Sequence, residues 1–242
     1  MKTFLINLDR NKDRLDVADR QLADLGISYE RFPAVSGRDL TAEERSRHVA
    51  RFHARMARLD KLTPGEVGCT LSHMFIFKKM IDESIPVALI FEDDLELSDK
   101  FPYALKKVES ELEVDAPQVY LFTGRQDENV RDIANPDFRI VAVASALRAD
   151  AYVITLPAAK AIWSANYPVV TMNDWWGRWR KRGLIELYRV LPTSSTQRQM
   201  QFVSDVTPNK RASLQGLKWI LWKAVRIPCV IIDWLYWWIL KR

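Results

Sequence analysis

Short apolar runs alternate along the chain with longer stretches whose apolar residues recur every three or four positions. Residues 3–8 (TFLINL) form the first such run and predict a buried strand. In residues 11–25, Leu15, Ala18, Leu22 and Leu25 fall at helical spacing, and Gly26 stands where a helix stops. Residues 28–35 predict a second strand, so the chain opens strand–helix–strand, the unit of parallel α/β sheets. Residues 41–61 read as an Arg-rich surface helix with His48 and His53 among its exposed positions. Thr63-Pro64-Gly65-Glu66 is a complete helix start: Thr at the N-cap, Pro in the first position and Glu in the third. That helix runs past Cys69, Leu71, His73, Phe75 and Phe77 to about Asp82.

Residues 87–91 (VALIF) are the most continuous apolar strand candidate, and they end abruptly in Glu92-Asp93-Asp94. A helix over 98–113 follows, with strands at 118–122, 138–143, 151–155 and 185–191 and a helix from Pro157 to about Ala165. The order predicts one α/β domain over residues 1–208, with a mostly parallel central sheet flanked by helices. Residues 209–242 differ. On a helical wheel Leu214, Leu217, Ile220, Leu221 and Val225 share one arc, while Lys218, Lys223 and Arg226 share the other. The pattern predicts an amphipathic tail lying in a membrane interface; a helix packed on the body or in a dimer is the alternative.

Charge sharpens that division. The chain carries 36 Lys+Arg and 31 Asp+Glu, a net +5. Seven basic residues and one acid fall in residues 209–242, which leaves +6 on the tail and −1 on residues 1–208. Five of the nine tryptophans are in the tail as well, which suits the headgroup level of a bilayer. A nucleic-acid-binding protein would spread its positive charge over the folded body, so that class is excluded. The two cysteines, Cys69 and Cys229, belong to no C-x-x-C pair and point to a reducing compartment. The N-terminal apolar run is too short for a signal peptide, and no stretch reaches the ~20 apolar residues of a membrane span.

The sharpest chemical feature is Glu92-Asp93-Asp94 directly after an apolar strand. The carboxyl edge of an open α/β sheet is where ligands bind. Continued extension would put Glu92, Asp94 and Glu96 on one face and Asp93 on the other. Clustered carboxylates repel unless a cation balances them, and hard oxygens suit Mn²⁺ or Mg²⁺, which in turn hold a diphosphate. The alternative is a solvated acidic turn. Gly65 and Gly68 in the first turns of a helix imply close packing or close ligand approach. Ser72 and His73 behind them are candidate contacts to a donor molecule, or a core histidine beside a tight helix contact. Cys69 reads as a small buried hydrophobe. Asn7, Arg10 and Arg14 follow the first strand and suit a diphosphate, or make ordinary ion pairs. Asp174, between apolar residues and a tryptophan pair, is a candidate general base or a helix N-cap. No P-loop, G-x-G-x-x-G, G-x-S-x-G or H-E-x-x-H occurs.

Phe4-Leu5-Ile6-Asn7-Leu8-Asp9-Arg10 with Arg14, then Phe32-Pro33-Ala34-Val35-Ser36-Gly37, Gly65-Glu66-Val67-Gly68-Cys69 with Leu71-Ser72-His73, Ile90-Phe91-Glu92-Asp93-Asp94, and Ala151-Tyr152-Val153-Ile154 with Ala159-Lys160 resemble, in that order, glycosyltransferase family 25. In the second block Ser36 stands where Asp is common. The likeness covers residues 3 to 175 and leaves out the tail. It implies a GT-A-like fold and a nucleotide-sugar donor, often UDP-galactose. It also implies a Mn²⁺-type ion at Glu92-Asp93-Asp94, with Glu92 and Asp94 as the metal ligands. Transfer is expected with inversion, with Asp174 or Asp93 as the base. Asn7, Arg10, Arg14, Ser72 and His73 are the donor-pocket candidates. With the tail, the expectation is a peripheral enzyme on the cytoplasmic face of a bacterial inner membrane. It would extend a lipid-linked lipooligosaccharide or lipopolysaccharide acceptor. A divalent-metal phosphoesterase and a non-catalytic membrane scaffold are the competing readings.

Overall fold

In the computed structural model, residues 1–50, 62–123 and 137–197 are described. The tail from 209 onward and the predicted helix beyond residue 50, His53 included, lie outside them. The chain begins with strand β1 (Lys2–Asn7), helix α1 (Lys12–Asp24), strand β2 (Glu30–Pro33) and helix α2 (Ala42–His48). Helix α3 (Pro64–Asp82) follows, then β3 (Val87–Glu92), β4 (Leu95–Leu97), α4 (Phe101–Glu111) and β5 (Gln118–Leu121). The rest comprises β6 (Arg139–Ala142), β7 (Ala151–Thr155), α5 (Leu156–Asn166), α6 (Trp176–Lys181), β8 (Glu186–Leu191) and β9 (Ser195–Gln197).

Seven strands form one sheet in the order β2-β1-β3-β7-β5-β8-β6, and β4 pairs with β9 in a small second sheet. β2, β1, β3, β5 and β8 run one way; β7 and β6 run the other. The sheet is mostly parallel as expected, but β7 is wedged in reverse between β3 and β5. Period-two alternation splits the core into two layers. Phe4, Ile6, Ile90, Tyr152 and Ile154 face the side that holds α3, α5 and α6. Leu5, Leu89, Phe91, Val153 and Tyr120 face α1 and α4. VALIF is buried along its whole length, which is why it reads as continuous rather than alternating.

Local signals explain several element ends. Thr63 caps α3 by accepting from the Glu66 amide at 3.2 Å, while Glu66 accepts from the Thr63 amide at 2.6 Å. Gly26 adopts φ +67° just past α1, a conformation that favours glycine. Two expectations fail locally, and one pair of strands is missed. The chain does not stay extended after Glu92: it turns at Asp93-Asp94 and re-enters a strand at β4. β4 and β9 are too short to show a period. His48 is half-buried rather than a surface residue, with Nδ1 2.8 Å from the Tyr167 hydroxyl and its ring against Phe75. Among the described residues no helix is long and apolar enough to cross a membrane.

Candidate active site at the carboxyl edge of the sheet

Parallel β1 and β3 bring Asn7 and Glu92 to the same edge of the sheet. Because β7 runs in reverse, its entry, Asp150, arrives at that edge too: the Glu92 amide donates to the Asp150 carbonyl at 2.9 Å. α3 lies across the edge with its first turns against the loop after β2. A half-open cleft lies between them. Asn7, Arg10 and Arg14 line it from the β1 side, Ser72 and His73 from α3, and Glu92, Asp93 and Asp94 from the end of β3. Asp174 does not line it and sits behind, ahead of α6.

The contact between α3 and the β2 loop depends on two glycines. A Cβ on Gly68 would come within 2.4 Å of the Val35 carbonyl oxygen and 2.6 Å of the Gly37 nitrogen. One on Gly37 would overlap the Pro64 carbonyl oxygen at 1.8 Å. Of the two alternatives for Gly68, close packing is therefore the one observed. Ser72 completes the seam, its hydroxyl donating to the Gly68 carbonyl at 2.8 Å and accepting from the Val35 amide at 2.9 Å. Ser72 thus binds backbone to backbone, which leaves its hydroxyl little capacity for a donor molecule.

The same inward commitment marks the β1 side. Asn7 donates to Asp93 Oδ2 at 2.7 Å and to the Asn11 carbonyl at 3.0 Å, and its own Oδ1 accepts from Arg31 at 3.1 Å. Arg14 pairs with Asp93 Oδ1 at 3.3 Å, with both side chains about 10% exposed. Both oxygens of Asp93 are therefore engaged in holding the turn, an arrangement suited to positioning rather than to taking up a proton. Burial nevertheless keeps the Asp93 carboxyl above its ordinary range, against the pull of Asn7 and Arg14. Arg10 is the exposed member at the mouth, 3.0 Å from the Ser36 hydroxyl.

Acidic side chains accumulate deeper in. Burial, then the charges of Asp94, Asp174 and Asp93, push the Glu92 carboxyl up to about 8. Asp150 is raised to about 7 by burial and by Glu92, with Arg148 opposing through an ion pair of 3.0 Å. Asp174 is likewise raised, by burial first; its Oδ2 accepts from the Arg148 amide at 3.3 Å and its buried Oδ1 makes no hydrogen bond. The N-cap of α6 is Trp175, so Asp174 is not the helix cap. Arg148 holds φ +77° while its carbonyl accepts from the Trp176 indole at 2.7 Å, a backbone strain fixed by its surroundings. His73 is buried and held neutral, its imidazole lowered to about 4 by desolvation. Its Nδ1 lies 2.8 Å from the Tyr152 hydroxyl and its Nε2 3.0 Å from Glu92 Oε1. Cys69 faces the cleft instead of the core, a correction to the sequence reading. Desolvation and the charge of Glu92 hold its thiol well above the ordinary range.

Clustered hard carboxylate oxygens, with Glu92 raised by burial and then by its acidic neighbours, are a donor set that fits Mn²⁺ or Mg²⁺. Glu92 and Asp94 would hold the ion; Asp93 is taken by Asn7 and Arg14. Sequence reasoning missed Arg148 and Asp150. The signal was present as Arg148-Ala149-Asp150 just before a strand, but it places a carboxylate at the site only once β7 is known to run in reverse.

Residues 1–175 match the family described as glycosyltransferase family 25 (LPS biosynthesis protein). The chain belongs to glycosyltransferase family 25. Human procollagen galactosyltransferase 2 is 30% identical over 175 residues, covering 67% of this chain and 27% of that protein. Procollagen galactosyltransferase 1-A of Xenopus laevis is 31% identical over 183 residues, covering 71% and 29%. A glycosyltransferase 25 family member of Drosophila melanogaster is 29% identical over 176 residues, covering 68% and 28%. The chain thus spans less than a third of the length of these relatives. The family 25 match includes every candidate site residue described above and stops short of the tail.

Proposed function

We propose that this chain is a nucleotide-sugar-dependent glycosyltransferase of GT-A-like fold, transferring galactose from UDP-galactose with inversion. The observation that carries the proposal is the cleft itself, which sets Arg10 and the amino-terminal turn of α3 opposite half-buried Glu92 and Asp94. A helix start favours phosphate, and Arg10, held at the mouth by Ser36 and Asp39, adds a positive charge there. When bound, a divalent ion supplies Lewis-acid charge for the departing diphosphate. Asp174, with its raised carboxyl and its unbonded Oδ1, is the proposed base for the acceptor hydroxyl, which must pass the cleft lining to reach it. Asp93 is the weaker candidate because both of its oxygens are held. Membership of family 25 and the galactosyltransferase names of the relatives support the choice of donor.

The acceptor is proposed to be a lipid-linked lipooligosaccharide or lipopolysaccharide, with the basic aromatic tail holding the protein on the anionic cytoplasmic face of the inner membrane. The family's description and the +6 tail support this. A protein acceptor is the second reading, favoured by relatives named as procollagen galactosyltransferases. A UDP-release assay over a panel of UDP-sugars, with and without Mn²⁺, tests the reaction class. Hydrolysis of phosphoesters without sugar transfer would replace it with the phosphoesterase reading. Offering lipooligosaccharide and a collagen-like peptide as acceptors separates the two acceptor readings. Full-length protein with Lys218, Lys223 and Arg226 changed to Glu should lose binding to anionic vesicles; undiminished pelleting would remove the membrane role.

A further inference from the structure

Cys69 and His73 lie four residues apart on α3 and so project from one face, a turn apart. Glu92 meets them from the end of β3. His73 Nε2 is 3.0 Å from Glu92 Oε1, Cys69 Sγ is 3.9 Å from the same oxygen, and all three ligand atoms fall within 4.8 Å of one another. A tetrahedral zinc ion with ordinary bond lengths separates its sulfur, nitrogen and oxygen ligands by about 3.3–3.5 Å. The two measured edges straddle that spacing. Tyr152 contributes an independent feature: its hydroxyl, 2.8 Å from Nδ1, holds the buried imidazole with Nε2 turned towards Glu92. A hydrogen bond to the far ring nitrogen is how metal-ligating histidines are oriented.

We propose that Cys69, His73 and Glu92 form a binding site for a thiophilic divalent ion, represented by Zn²⁺, with its fourth position open to the cleft. Three protein ligands and one open position is the composition of an accessible zinc site rather than a closed structural one. The site shares Glu92 with the hard-cation pair Glu92 and Asp94, so the two ions compete for one carboxylate. Nitrogen and sulfur donors favour Zn²⁺ over Mn²⁺. Zinc is therefore an inhibitor that acts by removing Glu92 from the cleft's carboxylates, and its binding is measurable without any transfer reaction.

Co²⁺ titration of the full-length chain tests this, with Cys229→Ser in every sample so that the tail thiol contributes nothing. The expected result is a thiolate-to-cobalt charge-transfer band, together with the intense visible bands of four-coordinate cobalt, both removed by one equivalent of Zn²⁺. Cys69→Ser should abolish the charge-transfer band, and Cys69→Ala should do the same. Tyr152→Phe should keep the band and weaken Zn²⁺ about 10-fold. Asp94→Asn, which leaves all three ligands in place, should keep both band and affinity. Absence of the band in the parent protein would overturn the site. So would Zn²⁺ affinity unchanged within about twofold in both Cys69 variants, with their thermal melting confirming the fold.

Discussion

The two walls of the cleft are built on opposite terms. On the wall formed by β1, the β2 loop and α3, polar side chains are spent on the protein itself. Ser72 ties Gly68 to Val35, Asn7 ties Asp93 to Asn11, and Arg31 grips Asn7. On the wall formed by the ends of β3 and β7 and the approach to α6, acidic groups crowd together beyond what the nearby cations balance. Glu92, Asp150 and Asp174 are all raised there. The first wall is satisfied and fixes shape; the second gathers carboxyl groups that burial and one another hold above their ordinary range. The order in which the sequence exposes them follows from this. Glycine, capping and strand signals mark the first, and only a carboxylate triplet marks the second.

The division predicts that substitutions on the second wall cost activity, whereas substitutions of the seam and the buried ties of the first cost stability. Asp94→Asn should give the largest effect, a fall in UDP-sugar turnover of about 10³-fold or more with melting temperature nearly unchanged. Retained turnover would break the division. Gly68→Ala should destabilise by about 2–4 kcal/mol, because the new methyl group meets backbone atoms that cannot swing aside. Chemical denaturation measures it, and a cost under about 0.5 kcal/mol would show that the seam yields.

Next comes pH dependence. The Glu92 carboxyl is raised on folding, so below its unfolded value it is protonated in both states and costs nothing. As pH rises from there towards about 8, the unfolded chain ionises first and stability falls. Melting of the metal-free protein should therefore decline over that window. Glu92→Gln or added Mn²⁺ should flatten the decline. His73 contributes the opposite slope, since its lowered folded-state value removes stability as pH falls from about 6.5 towards 4. The smallest effect is expected from exposed Arg10: Arg10→Ala should raise KM for the nucleotide sugar a few-fold, about 1 kcal/mol, at unchanged melting temperature. A fall in kcat alone would show that Arg10 acts on the reacting groups rather than on donor binding.

Much of the fold was legible because its signals are local. Thr63 and Glu66 form the reciprocal cap that their spacing announces, and VALIF is buried as its composition demands. Strand direction has no local signal. Nothing in Ala151–Thr155 says that it runs against β3, yet that reversal brings Asp150 to the site. The acidic triplet was found, but not its internal division of labour. Extension past Glu92 failed because Asp93 is drawn back by Asn7 and Arg14, partners 86 and 79 residues away in sequence. Cys69 was misplaced for a related reason. On a helix with one face on the core and another on a polar cleft, residue type alone does not say which face a small thiol takes.

The seam between Gly37 and Gly68 also bears on how the cleft can open. Backbone lies against backbone there, and the Ser72 hydroxyl clasps both sides. The close backbone contact and the Ser72 tie resist sliding of the loop along the helix. Any widening that admits a bulky donor must carry the β2 loop and α3 together as one jaw. The hinge would then lie at the outer ends of those segments, and the distances across the seam would survive every turnover.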